Sequence, residues 1–293
     1  MRLLAAAIPV CTLMAQTPDL DRKLWVQNLL VKLEKQRYEV LVQVKAAEER
    51  VARNQDLVSR TAAGTHEAQA TARQALAASR TALDKRRLQQ VKAEGAVVRV
   101  QQALQLLGTG TAPIRALPLA IQGEAFVVTK DGSHHALGMD RPWLEPGDRL
   151  VTGPTGRVEL EAFDGQATLV VGPETRLTIP QGDEPSLQSE YGKFIGKWKA
   201  RADRKFTVRT QTIVLAVRGT RFLVEARPQG NVTCLVLEGT VDVSDREGKV
   251  SRPVTPGQCL RIPSTHVPGQ PLPEPEAVDI KTLDRWWDRE EAP

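Results

Sequence analysis

Between residues 19 and 107 the apolar side chains recur at gaps of mostly three, four or seven. Val26, Leu29, Leu30, Leu33, Val40, Val44, Ala47, Val51, Val58 and Ala62 form a first set, and Ala72, Leu76, Leu83, Val91, Val98 and Leu104 a second. Such spacing paints one stripe along an α-helix. The stretch has no proline, its glycines are Gly64 and Gly95, and it is rich in Ala, Gln, Glu, Arg, Lys and Leu, a helix-forming composition. Pro18 stands just before the first stripe and Gly108 just after the second. Gly64 and Thr65, lying between them, suit a C′ glycine followed by an N-cap, which folds the arm into an antiparallel hairpin. The competing expectation is one unbroken helix of about 89 residues, roughly 130 Å long.

Beyond the arm the period changes to two. Runs of alternating apolar residues are closed every ten or so positions by Gly-Asp, Asp-Gly or Gly-Pro, the spacing of an all-β sandwich, barrel or short solenoid. The fold class expected is therefore α+β by segments: a long helical hairpin or coiled coil, then an all-β domain built as a sandwich or short β-solenoid. Residues 16–108 are assigned to the helical arm, 109–119 to a linker, 120–265 to the β domain and 266–293 to a tail. In the tail, Pro263 to Pro275 is expected to run extended. Ala277 to Glu291 is read as one short helix in which Leu283, Trp286 and Trp287 pack back on the sheet, Ile280, Leu283 and Trp287 sharing one face. The alternative is a docking peptide for a partner.

The N-terminus carries a different signal. Arg2 followed by the apolar run Leu3 to Met14 is too short for a bilayer span and reads as a secretory signal peptide, residues 1–15, with Leu13-Met-Ala15 as the cleavage site. The mature chain is thus expected in the periplasm, without a transmembrane span. The formal net charge of +5 is unevenly shared. From Asp19 to Leu107 there are 16 Lys and Arg against 10 Asp and Glu, whereas from Gly108 onward 23 face 25. No block of like charge is long enough to argue for nucleic acid.

Residues 213 to 226, Ile-Val-Leu-Ala-Val-Arg-Gly-Thr-Arg-Phe-Leu-Val-Glu-Ala, are followed by Asn231-Val-Thr-Cys-Leu-Val-Leu-Glu-Gly-Thr-Val-Asp-Val243 and by Pro256-Gly-Gln258. Two β-branched runs, interrupted at Gly219 and at Gly239, read as consecutive strands with a bulge or corner at the glycines. This pattern resembles the FecR family of periplasmic sensor domains, in which Val-Arg-Gly-Thr with a phenylalanine one residue on, then Glu-Gly and a late Pro-Gly-Gln, are landmarks. The resemblance covers roughly residues 120 to 265. It extends to Gly123-Glu-Ala-Phe-Val-Val128, Leu144-Glu-Pro-Gly-Asp148 and the hairpins through Phe163-Asp-Gly165 and Gly172-Pro-Glu174. It makes Gly219, Thr220, Phe222, Glu238 and Gly239 the structural motif. Well-known members are anti-sigma regulators with a cytoplasmic helical segment, a transmembrane helix and this β domain in the periplasm. This chain departs from that plan, for no later span follows its N-terminal run.

Candidate chemistry is sparse. Of His66, His134, His135 and His266 only the middle two are neighbours, and adjacent strand residues point to opposite faces, which argues against a metal site. No nucleophile elbow, phosphate loop, His-Glu metal motif or Cys-x-x-Cys is present, so neither catalysis nor a cofactor is expected. Arg218 is either an anion or partner contact or a structural arginine paired with Glu225 or Glu238. Around Lys193 to Phe206, strand alternation puts Phe194, Trp198 and Ala200 on one face and Lys197, Lys199 and Arg201 on the other. That basic stripe, with Lys193, Arg204 and Lys205 nearby, suits an anionic envelope polymer or is a solvated face guarding an edge. The FecR pattern places Cys234 and Cys259 in late strands one hairpin apart, which implies a disulfide or two buried thiols.

The function expected is an exported, non-enzymatic cell-envelope binding or scaffolding protein whose partner is an envelope protein or anionic envelope polymer. Self-association through the arm is the companion expectation, and a solvated spacer its alternative. A FecR-type signalling regulator sensing an outer-membrane partner is the first rival reading. An envelope polysaccharide-processing enzyme, using carboxylates such as Asp164 and Glu174, is the second.

Overall fold

The computed structural model describes residues 18–107, 113–138, 140–182, 184–199 and 205–288. The signal-peptide reading falls outside the described residues, as do Ala200, Arg201 and Arg204.

The arm is a hairpin. α1 (Pro18–Arg60) and α2 (His66–Leu107) run antiparallel, which settles the choice against one continuous helix. Thr65 caps α2 as expected, its Oγ1 accepting from the Ala68 backbone N–H at 3.3 Å. Gly64 does not take the left-handed backbone of a C′ cap. The Thr61 hydroxyl instead donates to the Leu57 carbonyl at 2.9 Å, and Gln69 Nε2 donates to the Ala62 carbonyl at 3.0 Å. The second stripe also sits differently. Val91 and Val98 face solvent while Ala96, Val97, Val100 and Ala103 turn inward, because the β domain covers that side of α2.

Among the described residues fourteen strands follow: β1 (Ala116–Gln122), β2 (Ala125–Val128), β3 (His134–Ala136), β4 (Arg149–Thr152), β5 (Arg157–Ala162), β6 (Ala167–Val171), β7 (Arg176–Thr178), β8 (Ser186–Trp198), β9 (Phe206–Arg209), β10 (Ile213–Ala226), β11 (Val232–Asp245), β12 (Ser251–Val254), β13 (Gln258–Ile262) and β14 (Glu276–Ala277). They join in one open sheet, β14-β13-β11-β10-β9-β8-β7-β4-β2-β3, with β1, β5 and β6 attached through β8 and β12 on β11. The fold is thus α+β. β1 starts inside the expected linker, because Ala116 pairs with Ala162 and Leu117 is buried against the arm. β8 serves four neighbours. Its first half lies between β7 and a parallel β9, its second half between β6 and β10.

Inward side chains from nearly every strand form one core. At its centre Trp198 stacks on Phe206, ring centroids 4.7 Å apart, and Phe163 and Phe222 pack at the edges of Phe206. Such aromatic burial dominates core energetics. A smaller core joins arm to sheet. Trp25, Val26, Leu29 and Leu33 of α1 and the inward residues of α2 close over Ile114, Leu117 and Trp143. Arg99, partly buried on α2, spans the joint: Nε and Nη2 donate to the carbonyls of Pro118 and Leu119 at 2.9 and 2.6 Å, where β1 loses regular register. Burial lowers its pKa, which marks how far its charge is withdrawn from water.

Candidate functional site

The FecR-like landmarks meet where β10 crosses β11. Register is regular from Ile213 opposite Asp245 to Arg218 opposite Thr240, then slips so that Arg221 faces Glu238, and returns with Phe222 opposite Val236. An extra residue on β10 is therefore cancelled by one on β11, and alternation resumes with Phe222 and Val224 inward. Gly219 at φ 63° and Gly239 at φ 76° supply the left-handed backbone that the slip requires. A Cβ on Gly239 would lie 2.5 Å from the Gly219 carbonyl oxygen, so the two strands touch backbone to backbone. Thr220 points inward with its hydroxyl unpartnered among the described residues, and Phe222 meets Phe194 edge to face at 6.2 Å. The motif builds a kink in a two-strand ribbon.

Arg218 is exposed and makes no ion pair among the described residues. The structural pairings expected of it go elsewhere: Glu238 lies 3.9 Å from Arg221, and Glu225 lies 3.8 Å from Arg227. Alternation explains the change. Beyond the slip it is Arg221 that faces Glu238 across the strands. Arg221 also lies 3.6 Å from Asp288 of the tail.

The lysines expected in one basic stripe are dispersed. Lys197 is exposed on the outer face, opposite Thr168 and Arg221. Lys193 sits over the Trp286 ring at 4.9 Å. Lys199 lies past the end of β8 and donates to the Gly165 carbonyl at 2.7 Å. Trp198, 2% exposed, belongs to the core and offers no surface for binding.

The two thiols are free and on opposite faces of the sheet. Cys234 stands opposite Leu260 and points into the main core, whereas Cys259 stands opposite Leu235 and points to the outer cluster. Cross-strand partners share a face, so thiols one register step apart cannot bond without flipping a strand. Burial pushes the pKa of both thiols up.

Among the described residues, which end at Asp288, the tail does not form the one α-helix expected of Ala277 to Glu291. After β14 it makes 3₁₀ turns at Ile280–Thr282 and Trp286–Asp288. Docking explains the departure. Trp287 inserts among Ile195, Leu223, Leu235 and Cys259, and its carbonyl accepts from Arg157 Nη2 at 2.8 Å, contacts that override the weak helical preference of so short a segment. Ion pairs of Arg261 with Glu276 and Arg252 with Glu274 tie its approach.

His134 and His135 lie on β3 against Val128 and Val127, and among the described residues no group of His, Cys, Asp or Glu is arranged to hold a metal ion. Sequence reasoning passed over Arg99, Trp25 and Glu161, which join arm to sheet. Their partners are distant in sequence, and no short-range pattern marks them.

Residues 148–242 match the family described as FecR protein, within the span of the resemblance and less than half of the chain. They run from the turn before β4 into the second half of β11 and include the kinked ribbon. A FecR-type domain thus occupies this part of the chain. Two crystal structures of a candidate anti-sigma factor from Parabacteroides distasonis ATCC 8503, at 1.65 and 2.50 Å resolution, are 18% identical, with TM-scores of 0.39 and 0.38. Each alignment covers 45% of this chain and 60% of that one, so this chain spans less than two thirds of their length. No curated protein matches the chain.

Proposed function

We propose that the protein is a FecR-type signalling regulator of the cell envelope, a non-enzymatic binding module that engages an envelope protein and passes on its state. The observation that carries this reading is the FecR match across residues 148–242, which takes in the kink of the β10–β11 ribbon near its C-terminal end. Envelope placement draws on the family's association with the envelope and on the Arg2 and Leu3 to Met14 pattern. Among the described residues no helix is long and apolar enough to cross a membrane. Arg218 and Lys197, both exposed beside the kink, are the side chains best placed to meet a protein partner or an anionic envelope polymer.

One feature favours the scaffold reading as a companion. Leu24, Val31 and Tyr38 on α1 are exposed at intervals of seven, Val31 by 68% and Tyr38 by 66%, and Val91 and Val98 repeat the interval on α2. Heptad spacing on a solvent face suits a second helical surface, either another copy or a partner.

Crosslinking in intact cells from a photoreactive residue at Arg218, with identification of what is attached, tests the regulator reading. A specific envelope protein attached there, and lost with a kink-disrupting variant, is expected. Recovery of the chain with its intact N-terminus from the soluble cytoplasm overturns the envelope placement. Sedimentation of the full chain and of a Val31→Glu/Tyr38→Glu variant separates the companion reading: association lost in the variant supports scaffolding through the arm, and a wild-type monomer at high concentration leaves a spacer.

A further inference from the structure

The outer face of the sheet carries a row of apolar side chains set directly opposite one another. Val170 on β6 pairs with Ile195 on β8, Ile195 with Leu223 on β10, Leu223 with Leu235 on β11, and Leu235 with Cys259 on β13. Opposite side chains share a face, so five strands contribute one continuous strip, about 19 Å long at the usual strand spacing. It is separate from the main core, which lies on the other face. The residues bordering the strip are charged or polar. Lys193, Glu225, Thr233 and Arg261 form one border, and Lys197, Arg221 and Glu238 the other.

The tail lies on this strip and shows what the strip recognises. Trp287 covers its apolar side chains, and the Trp287 carbonyl accepts from Arg157 Nη2. Arg157 is only 8% exposed and is held by Glu159 at 2.7 Å, so the donor is already aimed at an incoming backbone. Trp286 rests on Gly172, where a Cβ would come within 3.0 Å of the ring, and Lys193 covers the same ring. Arg221 on the border faces Asp288. The tail nevertheless fills its seat poorly. A cavity of about 300 Å³ remains, lined by Leu223, Leu235 and Cys259 of the sheet and by Leu283 and Trp286 of the tail, unlike the close packing of a core. β14 contributes two paired positions, and each 3₁₀ turn is three residues long. A segment held by one buried anchor and so few backbone bonds belongs to the part of a fold that opens most readily.

We propose that the strip is a docking surface for a protein segment carrying adjacent aromatic residues followed by a carboxylate, and that the tail occupies it until such a segment displaces it. The apolar row and the Gly172 seat take the two rings, as they take Trp287 and Trp286. Arg221, with Lys197 opposite it on the same border, takes the carboxylate. Arg157 requires a free main-chain carbonyl. The interior of an α-helix keeps its carbonyls for itself, so the segment docks in extended or turn conformation. This names the partner's chemistry for the binding-module reading and rests on that reading only for the partner's origin in the envelope.

Fluorescence anisotropy of a labelled synthetic peptide copying Val278 to Asp288 tests the proposal on the purified full chain and its Trp287→Ala variant. Apparent affinity scales with the fraction of open sites, so Trp287→Ala, whose own tail has lost its anchor, is expected to bind the peptide ~10-fold or more tighter than wild type. The same peptide with serine at both tryptophan positions is expected to bind the variant ~10-fold or more weaker. Adding Gly172→Val to the variant fills the seat of the first ring and is expected to weaken binding ~5-fold or more, with an unchanged melting temperature as the control for folding. If the double variant does not fold, the serine peptide decides. The proposal is overturned if Trp287→Ala binds no tighter than wild type, or if the serine peptide binds equally well. It is also overturned if Trp287→Ala fails to fold, since a displaceable tail is not needed to hold the sheet together. A wild-type dimer that Trp287→Ala dissociates would make the occupant the tail of a second copy. None of these results depends on what is crosslinked at Arg218 in cells, so the surface and the regulator reading fail separately.

Discussion

The hairpin and the β domain solve the same problem, hiding apolar surface, with unequal resources. Beyond its base the hairpin has a thin seam: Val44 on α1, and Ala72, Ser79 and Leu83 on α2, are the buried side chains there, while Leu41, Val42 and Leu57 stay exposed. The β domain gathers five large aromatic rings and its strands' inward residues into one continuous core. A two-helix ribbon can bury only one stripe per helix, whereas the sheet pools the inward side chains of many strands in one core. The difference teaches that cooperativity is concentrated in the sheet and in the joint beneath it. The distal arm is held mainly by helix propensity and a few cross-helix contacts.

That contrast can be broken most directly at the aromatic centre. Trp198→Ala is expected to cost about 3–5 kcal/mol, while Leu83→Ala in the arm seam stays nearer the lower end of the roughly 2–5 kcal/mol range for buried leucine. Denaturant unfolding followed by tryptophan fluorescence and by circular dichroism measures both. Equal losses would show that the seam is packed as tightly as the core. Next in size is the kink. Gly219→Val forces a β-branched residue into a left-handed backbone and is expected to cost about 1–3 kcal/mol, with Arg218→Ala, exposed and unpaired among the described residues, within about 0.5 kcal/mol of wild type. Thermal unfolding of the pair decides it, and a Gly219→Val protein melting with wild type would remove any backbone role from the glycine.

Arg99→Ala tests the joint. Removing a charged donor from two β1 carbonyls is expected to cost about 1.5–3 kcal/mol and to let the arm swing, seen as new protease cleavage between α2 and β1. An unchanged cleavage pattern would mean that the apolar joint alone holds the arm. A smaller and more local loss is expected near the tip. Asn54 Nδ2 donates to the Ala75 carbonyl at 3.1 Å, and Asn54→Ala should cost about 0.5–1.5 kcal/mol, visible as faster amide exchange confined to the distal turns.

Local pattern carried much of this architecture. The change of period near residue 120, the Gly64-Thr65 break and the glycines of the β10–β11 ribbon all express conformational preferences set within a few residues, and these the amino-acid order determined by itself. The FecR-type domain was legible for the same reason, since its landmarks are turns and bulges. Long-range packing decided the rest. Val91 and Val98 fit a helical stripe as well as Val97 and Val100 do, and only the position of the sheet turned one pair inward. Cys234 and Cys259 lie one hairpin apart, yet strand register put them on opposite faces. Ala277 to Glu291 can be written as a helix, but the pocket for Trp287 imposed 3₁₀ turns. The joint between arm and sheet brings Trp25 to Glu161, 136 residues away, and no period or motif encodes such a contact. Free energies of local structure are additive along the chain, and so can be read from it. Burial depends on what else arrives at the same place, which only the assembled fold specifies.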